Sequence, residues 1–218
     1  MFAVYIFVIR TTAPITMGIS ERKEREKIDK KQLIRSAAMK MFLEDGYAKT
    51  SIRNIADAIE YSPGTIYLYY KDKDELLYEV QRDAYGKLLE EFKAKAKHKD
   101  PVKRLMQIGK TYVAFGLANP ELYDLMFIIR APTNVDEELH KDNGGDSYFY
   151  LLDCLQECIE KDLLKVTDLN LCALQTWSVA HGLVSLNLRC RLKMMVEEKD
   201  MPKVLNDAIE SYVKLLIK

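Results

Sequence analysis

The chain reads as an all-α protein: a three-helix head with a helix-turn-helix pattern, followed by a longer helical body. Three observations carry that expectation. Six prolines and nine glycines are few for 218 residues, which leaves room for long unbroken helices. Apolar residues recur at intervals of three and four through most of the sequence. Within residues 50–80, two short helical patterns meet across a turn of three or four residues, the spacing of a helix-turn-helix unit whose second helix enters the DNA major groove.

Residues 1–9 are an apolar run ended by Arg10. The run is too short to span a bilayer, which takes about 20 residues, and it lacks the basic start of a signal peptide. Met17 opens a stretch that suits the start of a cytoplasmic protein. Residues 1–16 are therefore expected to be an upstream extension, and residues 1–19 are set apart from the domains. The mixed-charge run at 21–31 is a solvated helix start; Arg22, Lys23 and Arg25 form a second option, an arm touching DNA phosphates. The first helix has the apolar stripe Ile28, Leu33, Ile34, Ala37, Ala38, Met41 and Phe42.

The next helix, 50–59, has apolar positions 52, 55, 56 and 59, with Thr50 or Ser51 as N-cap. Ser62 then caps a short helix that opens on Pro63 and extends to about Tyr70. Ile66 and Tyr70 face inward, completing a small core with Phe42, Ile55, Ile59 and Leu76. A fourth helix, 74–97, carries acids in its first turn and lysines in its last, as the helix dipole favours. It is too long for the head alone and is the natural lever between head and body. The head is thus placed at 20–73 and the body at 74–218.

In the body, Lys99-Asp100-Pro101 breaks the chain before a helix over 102–118. Asn119-Pro120-Glu121 opens another, through 129, with Asn119 as N-cap. Residues 133–145 read as a polar loop, and helices over 146–161, 168–191 and 201–217 complete the set.

Charge and chemistry narrow the function. Thirty-three basic and 33 acidic residues leave no net charge, so any attraction to DNA must come from localised positive charge. Cys154, Cys158, Cys172 and Cys190 read as buried reduced thiols of a cytoplasmic protein; no metal or other cofactor is expected. His98 and His140 sit in polar stretches, and no nucleophile, base and acid can be assembled around His181, so no enzyme is expected. On spacing alone, DNA binding competes with an ordinary helical pair, or with a helical protein-interaction adaptor that does not bind DNA.

Longer stretches separate these readings. Residues 62–77, SPGTIYLYYKDKDELL, closely resemble the recognition-helix signature of TetR-family transcriptional repressors. Residues 50–56 resemble the preceding helix of that family, and residues 34–47 its first helix and closing Gly-aromatic turn. One departure is Glu60, where the family usually has glycine; a left-handed non-glycine residue costs about 1 kcal/mol. The run Trp177-Ser178-Val179-Ala180-His181-Gly182 resembles a motif in the C-terminal domain of one branch of the family.

The resemblance implies a ligand-responsive homodimer on a palindromic double-stranded operator. Its helix start is Ser62, Pro63 and Gly64. On the outward face, Thr65 and Tyr69 can reach base edges and Leu68 a thymine methyl. Tyr67, Lys71, Lys73, Thr50 and Arg53 are placed on phosphates. A small apolar effector is expected in the body among Met106, Tyr112, Phe115, Met126, Phe127, Tyr150 and Trp177, with His181 and Tyr112 supplying polarity. The last two long helices are expected to form the dimer interface through Leu183, Leu186, Val204, Ile209, Tyr212, Val213 and Leu216.

Overall fold

The computed structural model describes residues 18–130 and 145–218. The expectations for the N-terminal extension and for most of the 133–145 loop lie outside these residues. The helices run α1 (Ile19–Glu44), α2 (Ile52–Ala58), α3 (Pro63–Tyr67), α4 (Lys73–Lys95), α5 (Pro101–Ala118), α6 (Pro120–Phe127), α7 (Gly145–Glu160), α8 (Leu169–Leu188) and α9 (Met201–Leu216), with short 3-10 turns between the last two. Among the described residues there is no sheet, only an isolated bridge between Leu164 and Ile217. The all-α expectation holds.

Local signals set most helix starts. Ser51 accepts the N–H of Asn54, whose side chain accepts the N–H of Ser51 in return. Ser62, Asp72, Asp100 and Asp168 cap α3, α4, α5 and α8 through their side-chain oxygens, each worth about 1 kcal/mol. Asn119 departs from its expected role: its side-chain amide donates to the Phe115 carbonyl, closing α5 rather than capping α6.

Several ends differ from the sequence pattern. Helix α3 stops at Tyr67, so that the chain can turn Tyr70 into the core, where it is buried. Helix α8 stops at Leu188, ahead of Cys190, which has φ +56°. Cys190 is exposed, unlike the other three thiols. The leading half of α1 is exposed, with Ile28 at 56% and Leu33 at 44%; burial begins at Ile34 and continues at Ala38 and Phe42.

The buried side chains form one continuous cluster from Ile34 to Leu216. Helix α4 runs through both ends of it, with Leu76, Leu77, Val80 and Ala84 buried near the head and Leu88 and Phe92 in the body. Arg35 of α1 pairs with Glu79 at 3.1 Å and with Asp83 at 3.3 Å, both on α4. Helix α5 lies at the centre of the body, packed against α4, α7, α8 and α9. Two glycines let the outer helices close on it. A Cβ at Gly109 would lie 2.7 Å from Ile209 Cγ2, and one at Gly116 would lie 2.6 Å from Val184 Cγ1 and 3.0 Å from Tyr123.

Ile209, Val213 and Leu216 are therefore core residues of the single chain, buried where α9 seats on α5. They are not free surface for a partner. Gly116→Ala should destabilise the protein by about 1–3 kcal/mol, the usual cost of overpacking. Urea denaturation with an unchanged midpoint would show that α8 can retreat from α5 without cost.

Candidate nucleic-acid interface and internal cavity

The head positions α3 through two anchors. Ile66 is fully buried, and Tyr70 is buried with its hydroxyl donating to the Lys31 carbonyl at 3.3 Å. Helix α2 holds the other side through Ile52, Ile55 and Ala56. Between them Glu60 adopts φ +58°, and the Tyr61 N–H returns to the Ala56 carbonyl at 2.9 Å. Glutamate thus takes the left-handed conformation that suits glycine, and the turn keeps its path.

With one face of α3 anchored, the opposite face is presented. Leu68 is 80% exposed and Tyr67 55%. Thr65 and Tyr69 are half-buried beside them, and Pro63 flanks the same surface. Ser62 accepts the Thr65 N–H, and the two hydroxyls lie 3.0 Å apart. Gly64 is exposed, and a Cβ there would meet nothing closer than Ser62 Oγ at 3.6 Å. Arg53 and Lys71 are exposed.

Two of the residues assigned to phosphates have work inside the head. Thr50 is 2% exposed, and its hydroxyl donates to the Gly46 carbonyl at 3.0 Å and the Met41 carbonyl at 3.3 Å. The Lys73 ammonium donates to the Tyr47 and Thr50 carbonyls at 2.9 and 3.0 Å and lies 4.0 Å above the Tyr47 ring. The Tyr47 hydroxyl bonds Asp74; burial and that carboxylate push its pKa up. Both residues line a shallow depression with Lys49, Ser51, Arg53, Pro63 and Tyr67. Lys49 is the residue that sequence reasoning missed. It lies ahead of the α2 cap, outside any helical period, and only the fold sets it beside Arg53 and Lys73.

The body encloses a cavity of about 410 Å³ between α4, α5, α7, α8 and the end of α6. Of the residues expected there, Tyr112, Phe127 and Trp177 line it. Phe115 and Met126 are buried core, and Met106 packs half-buried against that core. Tyr150 stacks on Phe92 at 5.9 Å and donates its hydroxyl to the Ala96 carbonyl. Unanticipated wall residues are Tyr85, Leu88 and Phe92 of α4, Ile108 and Gly109 of α5, Gly145, Ser147, Tyr148, Phe149 and Leu151 of α7, and Thr176 and Ala180 of α8. Helical period identifies such faces as apolar but does not reveal that space remains between them.

His181 lies behind the wall. Its Nδ1 is 2.7 Å from the Tyr123 hydroxyl and 3.4 Å from that of Tyr112, which accepts Trp177 Nε1–H at 3.3 Å. Burial pushes the Tyr112 and Tyr85 phenols up and Tyr123 to about 12. Burial, then the nearby Arg189, lowers the His181 pKa. No group of three or more metal-ligating side chains occurs among the described residues.

The sign of the His181 effect follows from linkage. The unfolded chain takes up the proton more readily, so the neutral-histidine contribution is complete above the ordinary pKa of about 6.5 and is lost as pH falls through the lower folded value. The melting temperature should fall on acidification below pH ~6.5, before carboxylates titrate. His181→Gln should flatten that part of the profile; an unchanged slope would assign it to another group.

Comparison with known proteins agrees with this arrangement. The family described as bacterial regulatory proteins, tetR family, matches residues 34–80, and the tetracyclin repressor-like C-terminal domain matches residues 105–209. The chain is 41% identical over 69 residues to the uncharacterized HTH-type transcriptional regulator YhgD of Bacillus subtilis (strain 168), covering 32% of this chain and 34% of that protein. It is 29% identical over 84 residues to the fatty acid metabolism regulator protein of the same organism, covering 38% and 43%. The chain thus spans less than half the length of these curated relatives. A solved TetR family regulator from Marinobacter aquaeolei VT8 superposes with a TM-score of 0.67 at 21% identity, over 90% of this chain and 99% of that one, which shows the shared fold. A helix-turn-helix head and a repressor-type C-terminal domain, matched in order along one chain, make this protein a member of the TetR family.

Proposed function

We propose that the protein is a cytoplasmic, dimeric transcriptional repressor that leaves a palindromic operator when a small apolar effector enters the body cavity, and that it is not an enzyme. The observation that carries this reading is the outward face of α3. Leu68 and Tyr67 are large and largely exposed, on a helix whose other face is anchored. Exposed apolar side chains of this size suit base edges and thymine methyls. The depression beside them has Lys49, Arg53 and Lys73 on its wall and no acid, which supplies the localised positive charge that a neutral chain needs. Among the described residues no helix is long and apolar enough to cross a membrane.

Thr65 and Tyr69 would read bases with Leu68, and Arg53, Tyr67 and Lys71 would bind phosphates. Gly64 leaves room for the DNA backbone at the start of α3, which Ser62 and Pro63 open. Thr50 and Lys73 would act chiefly by holding the α1–α2 turn against α4.

One short helix reads few base pairs, so two heads are required. Apart from Trp177 on the cavity wall, the exposed large apolar residues of the last two long helices are Leu171, Leu174 and Leu186 on α8 and Val204 and Leu215 on α9, with Leu183 and Tyr212 half-buried. A Cβ at Gly182 would meet nothing within 4 Å, so a partner helix could approach closely there. Such a surface suits a two-fold interface in which each patch meets its copy.

Release needs an effector that prefers the conformation unable to fit the operator. Each tenfold loss of operator affinity takes about 1.4 kcal/mol of coupling, and the operator must weaken effector binding by the same factor.

Two measurements test the reading. Duplexes selected from a random pool should bind with strong salt dependence. Thr65→Ala or Tyr69→Ala should lower discrimination between sites by about 1–3 kcal/mol, whereas Lys71→Ala should weaken all duplexes and reduce the salt slope by about one. A helical adaptor would show no salt-dependent duplex affinity. In sedimentation, the protein should be a dimer at micromolar concentration, and Leu174→Glu with Leu215→Glu should leave a folded monomer; a wild-type monomer would remove the dimer.

A further inference from the structure

We infer that the ligand of the body cavity is an amphipathic cation, with its apolar part inside the cavity and its charged group at the mouth between α4 and α7. This rests on the cavity being the effector site and specifies the class of molecule it takes.

The first observation is the hydrogen-bonding state of the wall. Tyr85 donates its hydroxyl to the Met126 carbonyl at 2.7 Å, and Thr176 donates to the Cys172 carbonyl at 2.7 Å. Trp177 Nε1–H is committed to the Tyr112 hydroxyl, which itself lies within reach of Tyr123 and His181. Ser147 is also engaged. Among the described wall residues this leaves the solvent-exposed Tyr148 as the hydroxyl without such a bond, and the wall has no lysine or arginine. An anionic group drawn inside would lose its water and gain almost no donors, a costly exchange. The walls do offer aromatic faces, which attract cations.

The second observation is the adjoining cleft. Tyr85 and Ser147 line both the cavity and a cleft along α4, so the two spaces meet at those side chains. Charges in the cleft are unevenly neutralised. Arg82 pairs with Glu79 at 2.6 Å and Asp83 faces Arg35, whereas the Lys87 ammonium keeps its charge, donating only to the neutral Met39 Sδ at 3.7 Å. Glu90 and Asp146 also line the cleft, are exposed, and have no ion pair among the described residues. A molecule that threads its apolar part past Tyr85 therefore leaves its other end beside two carboxylates. Two carboxylates against the one Lys87 ammonium leave the cleft net negative, which favours a cation there over an anion. Neither the wall nor the cleft alone would settle the sign of the charge; both favour the same one.

Trp177 is the single tryptophan of the chain and stands on the cavity wall, so its fluorescence reports occupancy. The probes are decyltrimethylammonium, decanol and decanoate, one chain length with three charges, titrated below their micellar concentrations at low salt. The ammonium should bind about tenfold more tightly than decanoate, with decanol between, as expected for partly screened charges. Glu90→Gln with Asp146→Asn should bring the ammonium to the affinity of decanol and leave decanol unchanged. Decanoate binding as tightly as the ammonium, or an undiminished ammonium affinity in the double variant, would overturn the inference while leaving the cavity as a ligand site. If none of the three changes Trp177 emission, the inference fails together with the effector part of the proposed function, and operator binding stands or falls separately.

Discussion

The structure depends on α4 being buried at both ends. In most two-part proteins the connector is exposed and each part closes its own core. Here Leu76, Leu77, Val80 and Ala84 complete the packing of α1, while Leu88 and Phe92 complete that of α5 and α7 on the same unbroken helix. Rotating the head relative to the body must therefore disturb one of these contacts. Close-packed interiors shift between discrete arrangements rather than deform smoothly. The Arg35 ion pairs add geometry more than energy, since Arg35, Glu79 and Asp83 are all partly solvated and such pairs are worth about 1 kcal/mol or less.

The same helix carries the contacts by which a bound ligand would be felt. Gln81 donates to the Leu125 carbonyl at 2.8 Å and Tyr85 to that of Met126 at 2.7 Å, so two side chains of α4 hold the last turn of α6. Tyr85 and Phe127 then meet edge to face at 5.5 Å and both line the cavity. A molecule seated there touches the pair that joins α4 to α6. Coupling to the head under this reading needs no long relay, because the cavity wall and the lever share a residue.

What was legible in the sequence is what is local. The caps Ser51 and Ser62, the prolines opening helices, and the anchors Ile66 and Tyr70 follow from interactions within a few residues. The TetR resemblance extended that to the head as a unit. Faces were misjudged where tertiary placement decides. Ile28 and Leu33 fit the helical stripe but project beyond the bundle. Ile209 and Val213 looked surplus to one chain, yet Gly109 lets α9 sink onto α5 and bury them. Lys73 looked free because its partners, the carbonyls of Tyr47 and Thr50, are more than twenty residues away. The cavity was half legible: Tyr112, Phe127 and Trp177 were found, but Tyr85 and Phe149 required knowledge of which faces fail to meet.

The turn between α2 and α3 shows how a local misfit survives in a consistent fold. Glu60 at φ +58° carries a penalty of about 1–2 kcal/mol that glycine would avoid. Against it stand the Ser51–Asn54 capping box on one side and the Ser62 cap on the other, each contributing about 1 kcal/mol. Beyond them, Ile55, Ala56 and Ile66 are completely buried, and leaving the turn would expose them. Burying a single large aliphatic side chain is worth about 1.5–3 kcal/mol, so packing decides the backbone here and the glutamate follows. The strain sits at an exposed residue whose side chain has no ion pair among the described residues. That is where a protein can carry it without altering the presentation of α3.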